Sequence, residues 1–421
     1  MSGSEAILPA VPSVLKHRNR RLILDCFRDH QEHSVADIVA RTGISKLTVM
    51  RAIQFFCAKN ILVSSGKGES TELGGKRPEY FRFACKKYLL TIMLWPETLG
   101  LTLFDMDLHE IRRSSFAWII PATPELAFAF VREQAMALLA QADITCSDLY
   151  GVSLSTSGIV DYDSLVLKYS VHSPEWGNDI PVGQYLKNIF GDAPYYFIEN
   201  AGKSISRTIL EEQENPEKRI LVLFTAWGLS GALIQDGKIL SGRDSLIGEV
   251  GHMILDPADT ELCSCGSYGC LERLVSISRL RKRIAMDPPP STSPLSKVAP
   301  EAVTLNHLFF ASHQQDPYAR TYVTYLADCF SALLRNVSLV FNPETVVFVG
   351  DFAIADEYFD RRMRQQLHQF HYLASGSPID VHYDTRLLPE LDAKGGAIAL
   401  LDHFFSDPKL YEDSDTAEVS P

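Results

Sequence analysis

Residues 248–276 read GEVGHMILDPADTELCSCGSYGCLERLVS, and the architecture of the larger part of the chain follows from them. His252, Cys263, Cys265 and Cys270 stand in a His-x10-Cys-x-Cys-x4-Cys array. One imidazole and three thiolates form an ordinary tetrahedral zinc shell. Four protein ligands leave no open position, so the Zn2+ expected here is structural and not catalytic. Gly266 and Gly269 let the backbone turn tightly enough to aim neighbouring thiolates at one ion. Three cysteines packed together without a metal is the alternative reading. The other five cysteines, Cys26, Cys57, Cys85, Cys146 and Cys329, are scattered among apolar residues and read as buried thiols.

Around this stretch, strand-like runs alternate with helical patterns, as in an α/β protein. LGLTLFDMD, DLYGVSLST, APYYFIEN, RILVLFTA, SGALIQDGKIL and ETVVFVGDF read as strands. ELAFAFVREQAMALLAQA and YARTYVTYLADCFSALLRNVSLVF read as helices. AMDPPPSTSPLSKVAPEA is proline-rich and predicts a surface loop. The acidic FSDPKLYEDSDTAEVSP predicts a disordered tail over residues 406–421.

A different pattern occupies residues 15–85, after an N-terminal extension of residues 1–14. Leu22, Ile23, Cys26 and Phe27 place one apolar face on a first helix. Ser34 is placed to cap a second helix, with Asp37 as its capping-box partner and Val35, Ile38 and Val39 as its apolar stripe. Gly43 supplies a sharp turn. Ser45 is placed to cap a third helix, along which Leu47, Met50, Ile53 and Phe56 recur at helical spacing. The ILVSSGKGE and GGKRPEYFRF segments then read as two strands joined by a loop. This is a winged helix-turn-helix, mainly α. Ser45, Lys46, Thr48 and Arg51 on the third helix have the chemistry to meet phosphates and base edges. Lys67, Lys76 and Arg77 on the wing have it for phosphates or a minor groove.

Charge supports that division. Residues 1–88 hold 15 Lys+Arg against 8 Asp+Glu, leaving 25 against 44 in the rest of a chain whose net charge is −12. A basic head on an acidic body fits DNA as a partner of the head alone. The hydrophobic share of 46% and charged share of 22% are those of a globular protein. No 18-residue apolar run is evident, and MSGSEAILPAVPSVLKHRNRR has no signal-peptide apolar stretch. A cytoplasmic location is the expectation.

The 248–276 stretch resembles the signature of the ROK (repressor, open reading frame, kinase) family, Gly-Glu-x-Gly-His followed by Cys-x-Cys-Gly-x-x-Gly-Cys-Leu-Glu. With its winged head, the chain is similar to the regulator branch, that of xylose and N-acetylglucosamine repressors. The resemblance implies a two-lobed, actin-like (ribonuclease H-like) α/β domain over residues 86–405, each lobe centred on a five-stranded sheet. It also implies a homo-oligomer, dimer or tetramer, and a sugar or sugar-phosphate effector between the lobes. The family's sugar contacts carry over to Gly158, Asn200, Glu249, His252 and Glu272. His252 then has two roles, with one ring nitrogen on zinc and the other toward the sugar.

The chain departs from the family's kinases at the sites of phosphoryl transfer. Where they open with Asp-x-Gly-Gly-Thr, this chain has TIMLWPETLG, with Trp95 and Pro96 near the expected glycines. Where their second phosphate loop reads Gly-Thr-Gly-x-Gly-Gly-Gly, it has AWGLSGALIQDG, with Trp227 at the threonine. Where they carry Glu-Asn-Asp, it has Glu199-Asn200-Ala201, and a methyl group takes no proton. The Asn of a Pro-Asn-x-x-Trp motif is Ser173 here, with Trp176 retained. The expectation is a sugar-sensing, DNA-binding regulator with no enzymatic activity. The alternatives are an active sugar kinase with a DNA-binding head, and a DNA- or protein-binding module that senses nothing.

Overall fold

The computed structural model describes residues 12–67, 77–119, 121–170, 172–192, 194–213, 215, 217–374 and 378–412. The chain opens with α1 (Pro12–Asp25), β1 (His33–Ser34), α2 (Val35–Thr42), α3 (Lys46–Ala58), β2 (Leu62–Lys67) and β3 (Glu79–Phe83). α1 thus begins inside the stretch expected to precede the first helix. Ser34 caps α2 reciprocally: its Oγ accepts from the Asp37 amide at 3.3 Å, and the Asp37 carboxylate accepts from the Ser34 amide at 2.8 Å. Gly43 ends α2 with a left-handed φ of 68° and donates its N–H to Val39 O. Ser45 caps α3, accepting from the Thr48 amide. β3 pairs antiparallel with β2 on one side and β1 on the other.

The buried face of α3 is Val49, Ala52, Ile53 and Phe56, whereas Leu47 and Met50 are 58% and 40% exposed. The expected stripe through Leu47 and Met50 is therefore corrected. Steps of three residues advance roughly 300° around a helix, so a row that includes Phe56 has drifted to the solvent side three steps earlier.

The body begins with β4 (Tyr88–Leu94), β5 (Thr98–Asp105), β6 (Glu110–Ala117), α4 (Pro124–Gln141), β7 (Leu149–Thr156), β8 (Ile159–Asp161), β9 (Val166–Tyr169), α5 (Val182–Phe190), β10 (Tyr195–Asn200) and α6 (Ala201–Glu211). A second set follows: β11 (Ile220–Thr225), β12 (Leu229–Gln235), β13 (Lys238–Ile239), α7 (Leu271–Val275), α8 (Ile277–Met286), α9 (Leu305–His313), α10 (Pro317–Val340), β14 (Thr345–Gly350), α11 (Glu357–His368), α12 (His371–Ala374), β15 (Asp380–Asp384) and α13 (Leu388–Ser406). The two sheets run β6-β5-β4-β7-β10 and β13-β12-β11-β14-β15. In each, an antiparallel meander of three strands continues into two parallel strands. The repeated topology makes two lobes of an actin-like α/β fold. Each has its own core, one around Leu90, Leu101 and Phe128 and the other around Phe330, Phe348 and Phe359.

Two helices join the lobes. α6 leaves β10 of the first lobe and packs on β11, β12 and β13 of the second. α13 leaves the second lobe and returns to β4, β7 and α6. They cross closely enough that a Cβ added at Gly395 would lie 1.8 Å from Ser204 O, so only glycine fits there. Ser204 Oγ and Thr208 Oγ1 of α6 donate to Asp392 O and Leu391 O of α13.

The far end of α13 enters the core of the head. Leu400, Leu401, Phe404, Phe405 and Tyr411 share one apolar cluster with Phe27, Ile53, Phe56 and Phe83. The expected tail is corrected on this point: Pro408–Tyr411 form a 3-10 turn, Tyr411 is 3% exposed, and the Arg20 guanidinium donates to its carbonyl at 2.6 Å. Residues 413–421 lie outside the described residues. The proline-rich segment also differs from a bare surface loop, since it holds two 3-10 turns and buries Ser293 and Leu295. α10 is long and apolar enough to cross a membrane, at 24 residues, but its Phe330, Leu333, Leu334 and Val337 lie in the core of the second lobe.

Candidate functional site

The loop between β13 and α7 carries the His/Cys array. Val250–His252 make one 3-10 turn, and short bridges pair Ile254 with Cys270 and Leu262 with Tyr268. Gly269 turns the chain with a φ of 73°, where an added Cβ would lie 1.9 Å from Asp256 O. The fold brings His252 Nδ1 within 3.6 Å of Cys263 Sγ, and Cys265 Sγ within 3.6 Å of Cys270 Sγ. All four donor atoms lie within 4.8 Å of one another. Metal bonds of 2.0–2.3 Å would set the donors of a tetrahedron roughly 3.3–3.8 Å apart, so the cluster fits a single ion. Burial and the crowding of its neighbours' sulfurs push the Cys270 thiol up to about 12. Such crowding is what a bound cation relieves. Of the five thiols read as buried, only Cys26 is fully so; Cys57, Cys85, Cys146 and Cys329 are half-buried.

Beside this cluster a cleft of about 780 Å³ opens between the lobes. Gly158, Asn200, Glu249, His252 and Glu272 all line it, so the five residues assigned to the ligand converge from four separate segments. They are differently engaged. Asn200 caps α6 by accepting from the Gly202 amide, and its Nδ2 donates to Gly158 O, both at 2.9 Å. It thereby ties the Gly158 loop to α6. Glu272 accepts from the Leu229 amide at 2.8 Å and from Ser264 Oγ at 3.2 Å. Glu249 has His252 Nε2 at 3.9 Å, and burial, joined by the charge of Glu272, raises its pKa against the lowering charges of His252 and Lys203. His252 thus turns Nδ1 to the cysteines and Nε2 to Glu249.

Trp227 lines the cleft, and Trp95 lies buried behind it. Trp95, 2% exposed, and Trp227 lie with ring centroids 4.6 Å apart in an edge-to-face contact. Ala201 lines the cleft where an acid would be needed. Ser173 and Trp176 are buried and outside the lining; Trp176 Nε1 donates to Pro121 O. Tyr169 and His172 line the cleft instead. Nothing in the spacing around them signals this, because the β8–β9 hairpin brings them in. Burial holds the His172 pKa below the usual imidazole range, with Glu272 opposing.

On the head, Ser45, Lys46 and Arg51 are exposed on α3 and Thr48 is half-buried. Ser45 Oγ and Thr48 Oγ1 are 2.9 Å apart, so both hydroxyls are partly taken up by the cap. Arg77 is exposed at the start of the strand that closes the hairpin, and Lys76 lies outside the described residues.

The family model described as the ROK family matches residues 99–400. A glucokinase of Thermotoga maritima is 27% identical over 223 residues, which span 51% of this chain and 68% of that protein. A xylose repressor of Caldicellulosiruptor bescii is 23% identical over 385 residues, 86% of this chain and 90% of that one. Among solved structures, a ROK family transcriptional regulator described as a homologue of E. coli MLC superposes with a TM-score of 0.75 at 17% identity. It covers 94% of this chain and 100% of its own.

Proposed function

The chain belongs to the ROK family, and from that membership we propose that it is a transcriptional regulator with a sugar-responsive cleft and no phosphotransfer activity. The observation that carries the reading is the contact of Trp95 with Trp227. The Trp227 indole, backed by the buried Trp95, stands between the lobes on ground that a phosphate chain needs, where bare backbone amides would have to converge. Ala201, at the position where the resemblance puts the kinases' base, offers only a methyl group and accepts no proton. The similarity to a xylose repressor over 86% of the chain supports the same reading.

In this proposal α2, Gly43 and α3 are a helix-turn-helix and β2–β3 its wing. α3 enters the major groove with Lys46 and Arg51 foremost, and Arg77 meets the backbone beside it. A homodimer or larger homo-oligomer presents two such heads to half-sites about one helical turn apart. His252, Cys263, Cys265 and Cys270 hold zinc, which fixes the His252 ring and so the direction of Nε2. Glu249, Asn200 and Glu272 bind hydroxyls of the effector.

Signal passes along packed helices. Asn200 caps α6 at the cleft, α6 is bonded to α13, and α13 ends inside the core of the head. An effector that shifts one lobe on the other moves α13 with it. Coupling of this type is worth about 1–3 kcal/mol, a change in operator affinity of roughly 5–150-fold.

The test pairs two measurements. Selection from a random duplex pool should yield a preferred sequence, and Arg51→Ala should weaken binding to it by about tenfold or more. A coupled assay with ATP over hexoses, pentoses and amino sugars should show no turnover above the no-enzyme rate. Turnover that tracks this chain overturns the reading and favours the kinase, an alternative that the similarity to a glucokinase keeps in view.

A further inference from the structure

The cleft's lining is unusual for a site that binds a phosphorylated sugar. No arginine or lysine appears among the described residues that line it, whereas two carboxylates, Glu249 and Glu272, do. Lys203 lies behind Glu249, 7% exposed, with Nζ turned to Ser245 O at 3.3 Å. α6 begins at the cleft, but its Gly202 amide is already taken by Asn200. A dianionic phosphate brought here would give up water and meet two like charges, with no guanidinium or ammonium among the described lining residues and only the imidazoles of His172 and His252 facing it.

Three serines, Asn200 and two imidazoles join the carboxylates in the lining, and much of the remaining wall is apolar. Ile159, Tyr169, Phe224, Trp227, Leu229 and Leu246 face the same space as the carboxylates. Leu246 is 53% exposed and Trp227 is half-buried, so both offer surface that an occupant could cover. The volume of about 780 Å³ leaves room beyond one sugar ring. Polar groups on one side and an indole with aliphatic neighbours on the other describe an amphipathic occupant.

We propose that the effector is a neutral carbohydrate bearing an apolar or aromatic substituent, with the sugar hydroxyls on Glu249 and His252 and the substituent against Trp227 and Leu246. The inference rests on the sugar-responsive reading given above and narrows it: a free sugar binds weakly, its phosphate more weakly still, and its aryl derivative best. Stacking and burial of a phenyl ring supply the difference.

Calorimetric titration of the full-length, zinc-loaded protein with matched probes tests this. The parents are glucose, xylose and N-acetylglucosamine. Each is compared with its α- and β-phenyl glycosides, and the two hexoses also with their 6-O-benzyl ethers and 6-phosphates. The expected result is that at least one phenyl or benzyl derivative binds about tenfold or more tightly than its parent, and that both 6-phosphates bind more weakly than theirs. In Leu246→Ser, at a 53% exposed position, the ratio of derivative to parent affinity should fall to under about threefold. Trp227→Phe, which keeps an aromatic face, should retain the gain. Parents that bind with no gain from any apolar substituent, or a 6-phosphate that binds more tightly than its parent, overturn the inference and leave the sugar-responsive reading standing. If no probe binds, both fall together.

Discussion

At the scale of single residues, the His/Cys cluster and the buried Asp392 make opposite demands. Four donors converge on one point, so a metal held there would contribute directly to the stability of the loop that carries Glu249 and Glu272. Cys265 is the exposed member of the four. Cys265→Ser should lower zinc from one equivalent per chain to well below one after dialysis against a mild chelator, read by elemental analysis, and should lower the melting temperature as well. Full retention of zinc would remove Cys265 from the ligand set. Asp392 is 2% exposed; Ser155 Oγ donates to its Oδ2, whereas Oδ1 and the nearby Trp95 Nε1 have no hydrogen-bond partner. Burial is the chief cause that lifts its carboxyl from 3.8 to about 7, with Glu199 adding to it and the hydroxyls of Ser155 and Ser204 opposing. A folded-state value above the unfolded one means that the folded chain holds the extra proton within that window. Stability is therefore fullest below it and declines as pH rises through it. Asp392→Asn should flatten the fall in melting temperature of the zinc-loaded protein between about pH 5 and pH 8. An unchanged slope would show that Asp392 does not titrate there.

At the scale of elements, the sequence disclosed what depends on local chemistry. The Ser34/Asp37 box, the Gly43 turn, the Ser45 cap and the β11, β12 and β14 strands are legible because caps, turns and apolar runs are written in adjacent residues. The metal cluster is legible for the same reason, since three of its ligands lie within eight residues. The solvent face of α3 was misread at Leu47 and Met50, because which face is buried depends on α1 and α2 as well as on α3 itself. Nor did any local pattern place Tyr169 and His172 in the cleft, or Tyr411 in the head's core. The α6–α13 crossing belongs to this class. Its closeness depends on Gly395, a helix-interior glycine that costs about 1 kcal/mol relative to alanine on propensity alone. Gly395→Ala should nevertheless destabilise, by about 1–3 kcal/mol, because the methyl must push α13 away from Ser204. Calorimetric scanning checks this, and a variant more stable than the parent would contradict the crossing.

At the scale of the whole molecule, one apolar cluster ties the head to the body. Phe404 and Phe405 meet Phe83 with ring centroids 5.8 and 5.5 Å apart, and Tyr411 lies 6.2 Å from Phe56. Around them His30 meets Asp107 at 2.6 Å, Arg28 pairs with Asp402, and Lys59 donates to the carbonyls of Leu410 and Glu412. The head is thus seated on α13, the helix that also packs on α6 between the lobes. Phe404→Ala removes a ring that is 5% exposed, a loss of about 3–5 kcal/mol that falls on the junction. The variant should bind effector as the parent does but show a smaller change of operator affinity on adding it. Undiminished coupling would mean that the signal takes another route.

The cluster also fixes when the head becomes complete. Its hydrophobic floor is built from residues 393–411, so a growing polypeptide leaves the ribosome with the first helices made and their seat still missing. Products of interrupted translation carry α3 on an unfinished base, with Phe27, Phe56 and Phe83 stripped of the rings that cover them.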